Sequence, residues 1–241
     1  MKQLQFGEPF AQSARVSEGV FIHFANISLA NKYFYMSTPK VASSSLLMTL
    51  QRVERDDPAF SHTPISNVHT RALSPLFTPY QVEDFWRTLD RDLFKFCIVR
   101  DPFERAISAY LDKVLPPQGG LGGRVATRLG VPEPVSFESF LEMIALEDPV
   151  ERDPHYAVQH DHLCCDHIQY DLVGRFEDLE RAFADISAGI GIDISRFSAR
   201  IDHHFTGEKD LRKFLTPRAL ELMRQIYRQD FDTFEYPDQA F

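Results

Sequence analysis

Tyr33-Phe-Tyr-Met-Ser-Thr-Pro-Lys-Val-Ala-Ser-Ser-Ser-Leu46 carries a strand, a break and a helix start in direct succession. The apolar run Tyr33 to Met36 reads as a buried strand. Pro39 ends it, and from Ser44 or Ser45 the residues Leu46, Leu47, Leu50 and Val53 recur at helical spacing. A strand that turns tightly into a helix leaves the first backbone N–H groups of that helix without intrahelical acceptors. The helix dipole adds partial positive charge at the same place. The ammonium of Lys40, the hydroxyls of Ser43, Ser44 and Ser45, and the backbone through Pro39, Val41 and Ala42 complete an anion site suited to phosphate. It is not a Walker loop, because GxxxxGK[ST] is absent and the lysine precedes the small residues. Taken alone, the stretch reads equally well as a serine-capped helix behind a strand, with Lys40 solvated.

A second stretch repeats the pattern: Phe94-Lys-Phe-Cys-Ile-Val-Arg-Asp-Pro-Phe-Glu-Arg-Ala-Ile-Ser-Ala-Tyr-Leu-Asp-Lys113. Phe94 to Val99 is a strand pattern. Asp101 is a good N-cap, Pro102 fits the first helical position and Glu104 sits where a capping-box acid belongs. Phe103, Ala106, Ile107, Tyr110, Leu111 and Val114 follow at helical spacing. Arg100 therefore stands at the strand end, where its planar guanidinium can grip a phosphate with two bonds, and Ser108 can add a third. The chain thus offers two strand-to-helix turns, each with a cation at its tip.

Thr38 to Leu46 resembles the 5′-phosphosulfate loop of sulfotransferases that use 3′-phosphoadenosine 5′-phosphosulfate (PAPS), and Val99 to Tyr110 resembles their 3′-phosphate motif. The fuller resemblance is to the Golgi-type carbohydrate sulfotransferases, which share RDPFER…SAY, a DPHW-like segment and a YD-VG-E-L segment. Here these are Asp153-Pro-His-Tyr156 and Tyr170-Asp-Leu-Val-Gly-Arg-Phe-Glu-Asp-Leu179. The similarity runs in order from about Tyr33 to Tyr236. It departs at Ala42, where glycine is common, and at Tyr156, where tryptophan is usual. The resemblance implies a P-loop-like nucleotide-binding sulfotransferase fold, PAPS as donor and a carbohydrate or glycoconjugate hydroxyl as acceptor. It assigns the 5′-phosphosulfate to Lys40 and Ser43 to Ser45, and the 3′-phosphate to Arg100 and Ser108. Lys40 is then the cation for the leaving group, and no metal is needed. The base is His69 or His155. The order of heparan-type relatives favours His69, which lies between the two phosphate motifs. His155 lies on the acceptor-side segment, and imidazole suits the task in either place. Glu177 is a weaker candidate, more suited to pairing with Arg175 or capping the next helix.

The bulk composition agrees with an enzyme of this kind. The 241 residues suit one domain, 1–241. With 44% hydrophobic and 25% charged residues the chain is globular rather than disordered. A net charge of −9 argues against a broad nucleic-acid-binding face. No apolar run reaches the roughly 18 residues of a membrane span, and Met1 to Ala14 lacks the apolar core of a signal peptide. Golgi-type relatives usually carry an anchor and stem, so a cytoplasmic, bacterial-type enzyme or a trimmed chain is expected. Nothing in the sequence bears on oligomeric state. Cys97, Cys164 and Cys165 are too few for a disulfide scaffold. Cys97 reads as buried filler.

A rival reading groups His155, His160, His162, Cys164, Cys165 and His167 as zinc ligands, although their spacing matches no common zinc pattern. Two further alternatives are a divergent nucleotide kinase, for which Mg²⁺ ligands and a Walker lysine are missing, and a non-catalytic nucleotide- or glycan-binding module.

The remaining elements follow from pattern. Gly19 to Ile27 is a strand candidate, turning at Asn31 and Lys32. Phe60 to Phe77 is a loop holding His62, Pro64 and His69. Thr78-Pro-Tyr-Gln81 looks like the capped start of a helix bearing Phe85, Trp86 and Leu89, with Trp86 in the core. Pro116 to Arg124, rich in glycine, reads as a hinge or lid, or as a plain loop. Ser136 caps a helix, Ile168 to Gly174 is a strand, and Leu179, Ala182, Phe183 and Ile186 form a helical face. Thr216-Pro217 starts a last long helix, and Phe231, Phe234 and Tyr236 pin the tail. Strands alternating with helices predict an α/β fold, with a mainly parallel central sheet flanked by helices on both faces.

Overall fold

Four short strands, β1 (Ala25–Ser28), β2 (Tyr33–Met36), β3 (Phe94–Val99) and β4 (Leu172–Arg175), pair in chain order into one sheet. They are seen in a computed structural model that describes residues 14–62, 67–115, 121–199 and 211–239. β1 and β2 are an antiparallel pair joined through Asn31 and Lys32, whereas β2, β3 and β4 run parallel, with Tyr33 opposite Phe94 and Phe96 opposite Leu172. The sheet is thus mixed, with one antiparallel edge strand on a parallel remainder. The helices are α1 (Glu18–Phe24), α2 (Ser43–Arg55), α3 (Phe85–Asp92), α4 (Pro102–Ala109), α5 (Leu121–Leu129), α6 (Phe137–Leu146), the short α7 (Gln159–His162), α8 (Leu179–Ile190), α9 (Pro217–Ile226) and α10 (Arg228–Phe234).

The two-residue period of the strands divides the core. Phe34, Met36, Cys97 and Val99 face one layer, packed with Phe21 of α1, Phe85 and Leu89 of α3, Phe103 and Ile107 of α4, Phe140 of α6 and Met223 of α9. Tyr33, Tyr35, Phe96 and Ile98 face the other, against Leu46, Leu50 and Val53 of α2 and Ala182 and Ile186 of α8. Both strand-to-helix crossovers therefore begin at the same end of the sheet, the carboxyl ends of β2 and β3, but send α2 and α4 to opposite faces. Trp86 packs in the first layer, its ring stacked 5.9 Å from that of Phe21. Cys97 is fully buried, and Phe231, Phe234 and Tyr236 close the tail over the same layer.

Several expectations need correction. Gly19 to Ile27 is not one strand: Ser17 caps α1, its hydroxyl accepting the Val20 N–H, and only Ala25 onward is extended. Thr78 caps a separate 3₁₀ turn, Pro79–Gln81, and α3 starts later, after Asp84 in the left-handed region. β4 begins at Leu172 rather than Ile168, because Tyr170 turns aside to donate its O–H to Leu163 O and Asp171 accepts the Lys95 N–H. The last helix breaks at Tyr227 into α9 and α10. The glycine-rich Pro116 to Arg124 splits: 116–120 lie outside the described residues, while Leu121 onward forms α5. Gly122 lets α5 approach the chain closely, since a Cβ there would lie 2.5 Å from Val114 O. Pro64, in the predicted loop, and most of the N-terminal stretch also lie outside the described residues. Among the described residues no helix is long and apolar enough to cross a membrane.

Candidate active site

The loop between β2 and α2 is held in an uncommon shape. Lys40 and Ala42 have φ of 73° and 60°, in the left-handed region that costs L residues about 1–2 kcal/mol each. Three anchors hold it there. Val41 is buried in the second core layer. Arg105 donates through Nε to Pro39 O at 3.2 Å, and Arg100 donates through Nη1 to Lys40 O at 3.2 Å. At the start of α2 the Ser45 and Leu46 N–H groups both return to Ala42 O. The N–H groups of Ser43 and Ser44 meet no backbone carbonyl among the described residues. Thr38 Oγ1, at the root of the loop, is buried with no partner among them.

The second turn meets the first directly. Gln159 brackets Arg100: its Oε1 accepts the Arg100 N–H at 2.9 Å and its Nε2 donates to Arg100 O at 2.8 Å. Asp230 accepts the N–H groups of Gln159 and His160 and so fixes the bracket. The Arg100 guanidinium lies 4.3 Å from the centre of the Phe176 ring and 2.9 Å from Glu104. Glu104 thus pairs with Arg100 instead of closing a capping box. Asp101 caps α4 by accepting the Glu104 N–H, while its own N–H goes to Glu177 Oε1 at 2.7 Å. Glu177 also accepts the Tyr236 hydroxyl proton, so it neither pairs with Arg175 nor caps its own helix. Ser108 is buried on α4, one turn beyond Glu104 on the same helix face.

Both candidate histidines are held beside this loop. His69 Nε2 lies 2.8 Å from Ser44 Oγ. Its position comes from Asn67 Oδ1, which accepts its N–H, and from Gln51 of α2, which donates to Val68 O. His155 reaches the site through Arg105. Arg105 is 1% exposed and donates to Pro39 O, Ala157 O and Pro154 O, so it clamps the 153–157 segment onto the β2–α2 loop. Asp153 Oδ1 accepts from both His155 N and His155 Nδ1, the latter at 2.7 Å, which aims Nε2 away from Asp153. Burial pushes the Asp153 carboxyl up, but the bonds from His155 more than offset this and hold it below the usual range.

Lys40 and Arg100 each have a carboxylate beside them. Lys40 Nζ lies 2.9 Å from Asp112 Oδ2, on the π-helical turn Tyr110–Val114 that follows α4. Burial pulls the Lys40 ammonium below its ordinary pKa, only partly countered by Asp112. Asp112 is raised by burial but lowered further by Lys40 and Lys113. Arg105, Asp112 and Gln159 were not singled out from the sequence. Arg105 stood inside the quoted motif, yet nothing in its spacing announced three backbone acceptors from distant segments.

The zinc alternative finds no assembly. His162 is buried, with Nε2 against Ser37 O, and burial lowers its pKa to about 4. His155 is engaged by Asp153, and His160 faces Asp161 and Asp166. Among the described residues no group of three or more His, Cys, Asp or Glu is placed to hold a metal. The loop thus brings together a largely buried ammonium, the first amides of α2 and serine hydroxyls, and the Arg100 guanidinium lies one carbonyl away.

A profile of the sulfotransferase family matches residues 25–237, from β1 to beyond α10. The chain belongs to the sulfotransferase family. Among its curated relatives, carbohydrate sulfotransferase 11 of Rattus norvegicus is 26% identical over 237 residues, covering 86% of this chain and 65% of the relative. Carbohydrate sulfotransferase 14 of Mus musculus is 37% identical over 161 residues, covering 60% and 42%. Carbohydrate sulfotransferase 10 of Pongo abelii is 25% identical over 246 residues, covering 88% and 66%. This family member therefore spans less than two thirds of the first two relatives' lengths. No solved structure matches it.

Proposed function

We propose that this sulfotransferase-family chain transfers a sulfuryl group from PAPS to a hydroxyl of a carbohydrate or glycoconjugate, on a P-loop-like nucleotide site. The observation that carries the reading is the 3.2 Å contact from the Arg100 guanidinium to the Lys40 carbonyl: the two turns meet, as binding of one shared nucleotide requires. The carbohydrate class of the acceptor comes from the relatives' names.

In this reading the donor's sulfur–oxygen bond to the phosphate breaks as the acceptor oxygen bonds to sulfur, and the acceptor proton passes to an imidazole. Lys40 stands to neutralise charge growing on the bridging oxygen. Ser43 to Ser45 and the first amides of α2 hold the 5′ end, while Arg100 and Ser108 hold the 3′-phosphate. His69 is the first candidate for the base, and its contact with Ser44 Oγ at the start of α2 supports that reading. A second reading, with His155 as base, is favoured by the Asp153 contact, which would orient Nε2 toward an acceptor.

Calorimetry with adenosine 3′,5′-bisphosphate tests the site. Wild type should bind, and Lys40→Ala and Arg100→Ala should each bind at least tenfold more weakly; equal affinity in all three proteins would overturn the assignment. Sulfate transfer by His69→Gln and His155→Gln then identifies the base, whose loss lowers kcat about 10²- to 10⁴-fold while nucleotide affinity stays within a few-fold.

A further inference from the structure

The two carboxylates at the site cations are not equivalent. Glu104 lies four residues from Arg100, in the turn it helps build, whereas Asp112 comes from the π turn, remote from Lys40 in the chain. A single oxygen of Asp112 serves two ammoniums, Lys40 Nζ at 2.9 Å and Lys113 Nζ at 3.3 Å. The exposures are lopsided: the Lys40 side chain is 17% exposed and that of Asp112 is 48%. The lysine is therefore confined, and the carboxylate, already half in water, is the partner that can move. A carboxylate resting on Lys40 occupies the ammonium an incoming anion would need, and its charge repels that anion.

We propose that Asp112 is a positioning residue that holds the Lys40 ammonium in the nucleotide-free protein and yields it to an entering anionic group, staying paired with Lys113. This rests on the reading that Lys40 meets the 5′ end of the nucleotide. π turns inserted at the end of α-helices often mark functional positions. Here the turn brings Asp112 to the loop, with a second cation next in sequence. The arrangement keeps Lys40 directed into the site without an unpaired buried charge, and the exchange needs only a side-chain rotation.

The test is calorimetric titration with adenosine 3′,5′-bisphosphate at low ionic strength, on wild type, Asp112→Asn and Lys113→Ala. Asp112→Asn removes the competing charge and should bind about three- to fivefold more tightly, the scale of one partly exposed ion pair. Lys113→Ala leaves Asp112 with Lys40 alone and should bind more weakly by a similar factor. Both differences should shrink as salt approaches 1 M. A purely structural tether predicts the opposite sign for Asp112→Asn, so unchanged or weaker binding by that variant overturns the proposal. So does unchanged or tighter binding by Lys113→Ala. Absence of nucleotide binding by wild type would instead remove the donor-site reading, and this inference with it.

Discussion

Arg105→Lys isolates the clamp between the phosphate loop and the 153–157 segment. The arginine fork serves three carbonyls that belong to two distant segments, at 3.2, 2.7 and 2.8 Å, and is almost wholly buried. Lysine keeps the charge but presents it from one point, so it can serve one or two of those oxygens and leaves at least one without a donor. A hydrogen bond to a charged group is worth about 1.5–3 kcal/mol, and a buried acceptor left unmade costs about 1–3 kcal/mol. Burial already opposes the charge on Arg105, pulling its pKa down, and that penalty is shared by the lysine form. The net loss is therefore about 2–4 kcal/mol, a large fraction of the 5–15 kcal/mol typical of a folded domain. For a chain of this length that lowers Tm by roughly 4–16 °C. The assay is a thermal melt with and without adenosine 3′,5′-bisphosphate. The variant should melt lower, and its nucleotide-induced rise in Tm should be smaller, because one ammonium cannot hold Pro39 O and the 153–157 carbonyls together as the fork does. A melt within about 2 °C of wild type, with an undiminished nucleotide effect, would refute the clamp.

Gly174→Ala should destabilise by about 1–3 kcal/mol, because the new Cβ would stand 2.9 Å from Ala182 Cβ where α8 crosses β4; an unchanged urea midpoint would contradict that packing. Ala42→Gly should leave stability within about 1 kcal/mol of wild type, since relief of the left-handed strain is offset by glycine's greater freedom when unfolded; a drop beyond about 2 kcal/mol in chemical unfolding would mean the Ala42 methyl has a packing role. His162→Gln should flatten the acid side of the stability profile. Wild-type His162 stays neutral to about pH 4 when folded, while the unfolded chain takes up the proton near pH 6.5, so stability is lost as pH falls through that window, by about 3 kcal/mol. Asp101 and Asp230, raised by burial to about 6, work the other way, gaining stability as pH falls from about 6 toward 4. The variant should therefore be relatively more stable at pH 4.5 than at pH 7, and a pH-independent difference would rule out His162 as the source.

What could be read from the sequence was the local part of this structure. The strand-to-helix turns after Met36 and Val99 were legible because their patterns need only short-range physics: an apolar run, a proline and a helical stripe, with the Asp101 cap at the second turn only, since α2 starts at Ser43 behind Ala42 without a side-chain cap. Ser136 and Thr216 cap their helices, as their positions suggested, each hydroxyl accepting the N–H three residues on. Gly19 to Ile27 misled because a two-turn helix and a following strand give one largely apolar stretch, interrupted only by His23 and Asn26, and the Ser17 cap marks where the helix begins. Glu104 misled for a different reason. The capping-box spacing is real, but a guanidinium four residues back outbids a backbone amide for the carboxylate, and Glu177 takes that amide from across the fold.

The features that shape the candidate site are the ones no local pattern encodes. Lys40 and Ala42 sit in conformations the loop would not choose unaided, and the groups that hold them come from residues 100, 105 and 157 rather than from the loop's own neighbours. The loop shape is therefore held by tertiary contacts, from α4 and through it from the 153–157 segment. The same arginine touches both Pro39 and Pro154. One buried planar group thus ties the backbone beside Lys40 to the backbone beside His155, so the spacing of these two segments rests on the Arg105 fork rather than on the strained loop itself.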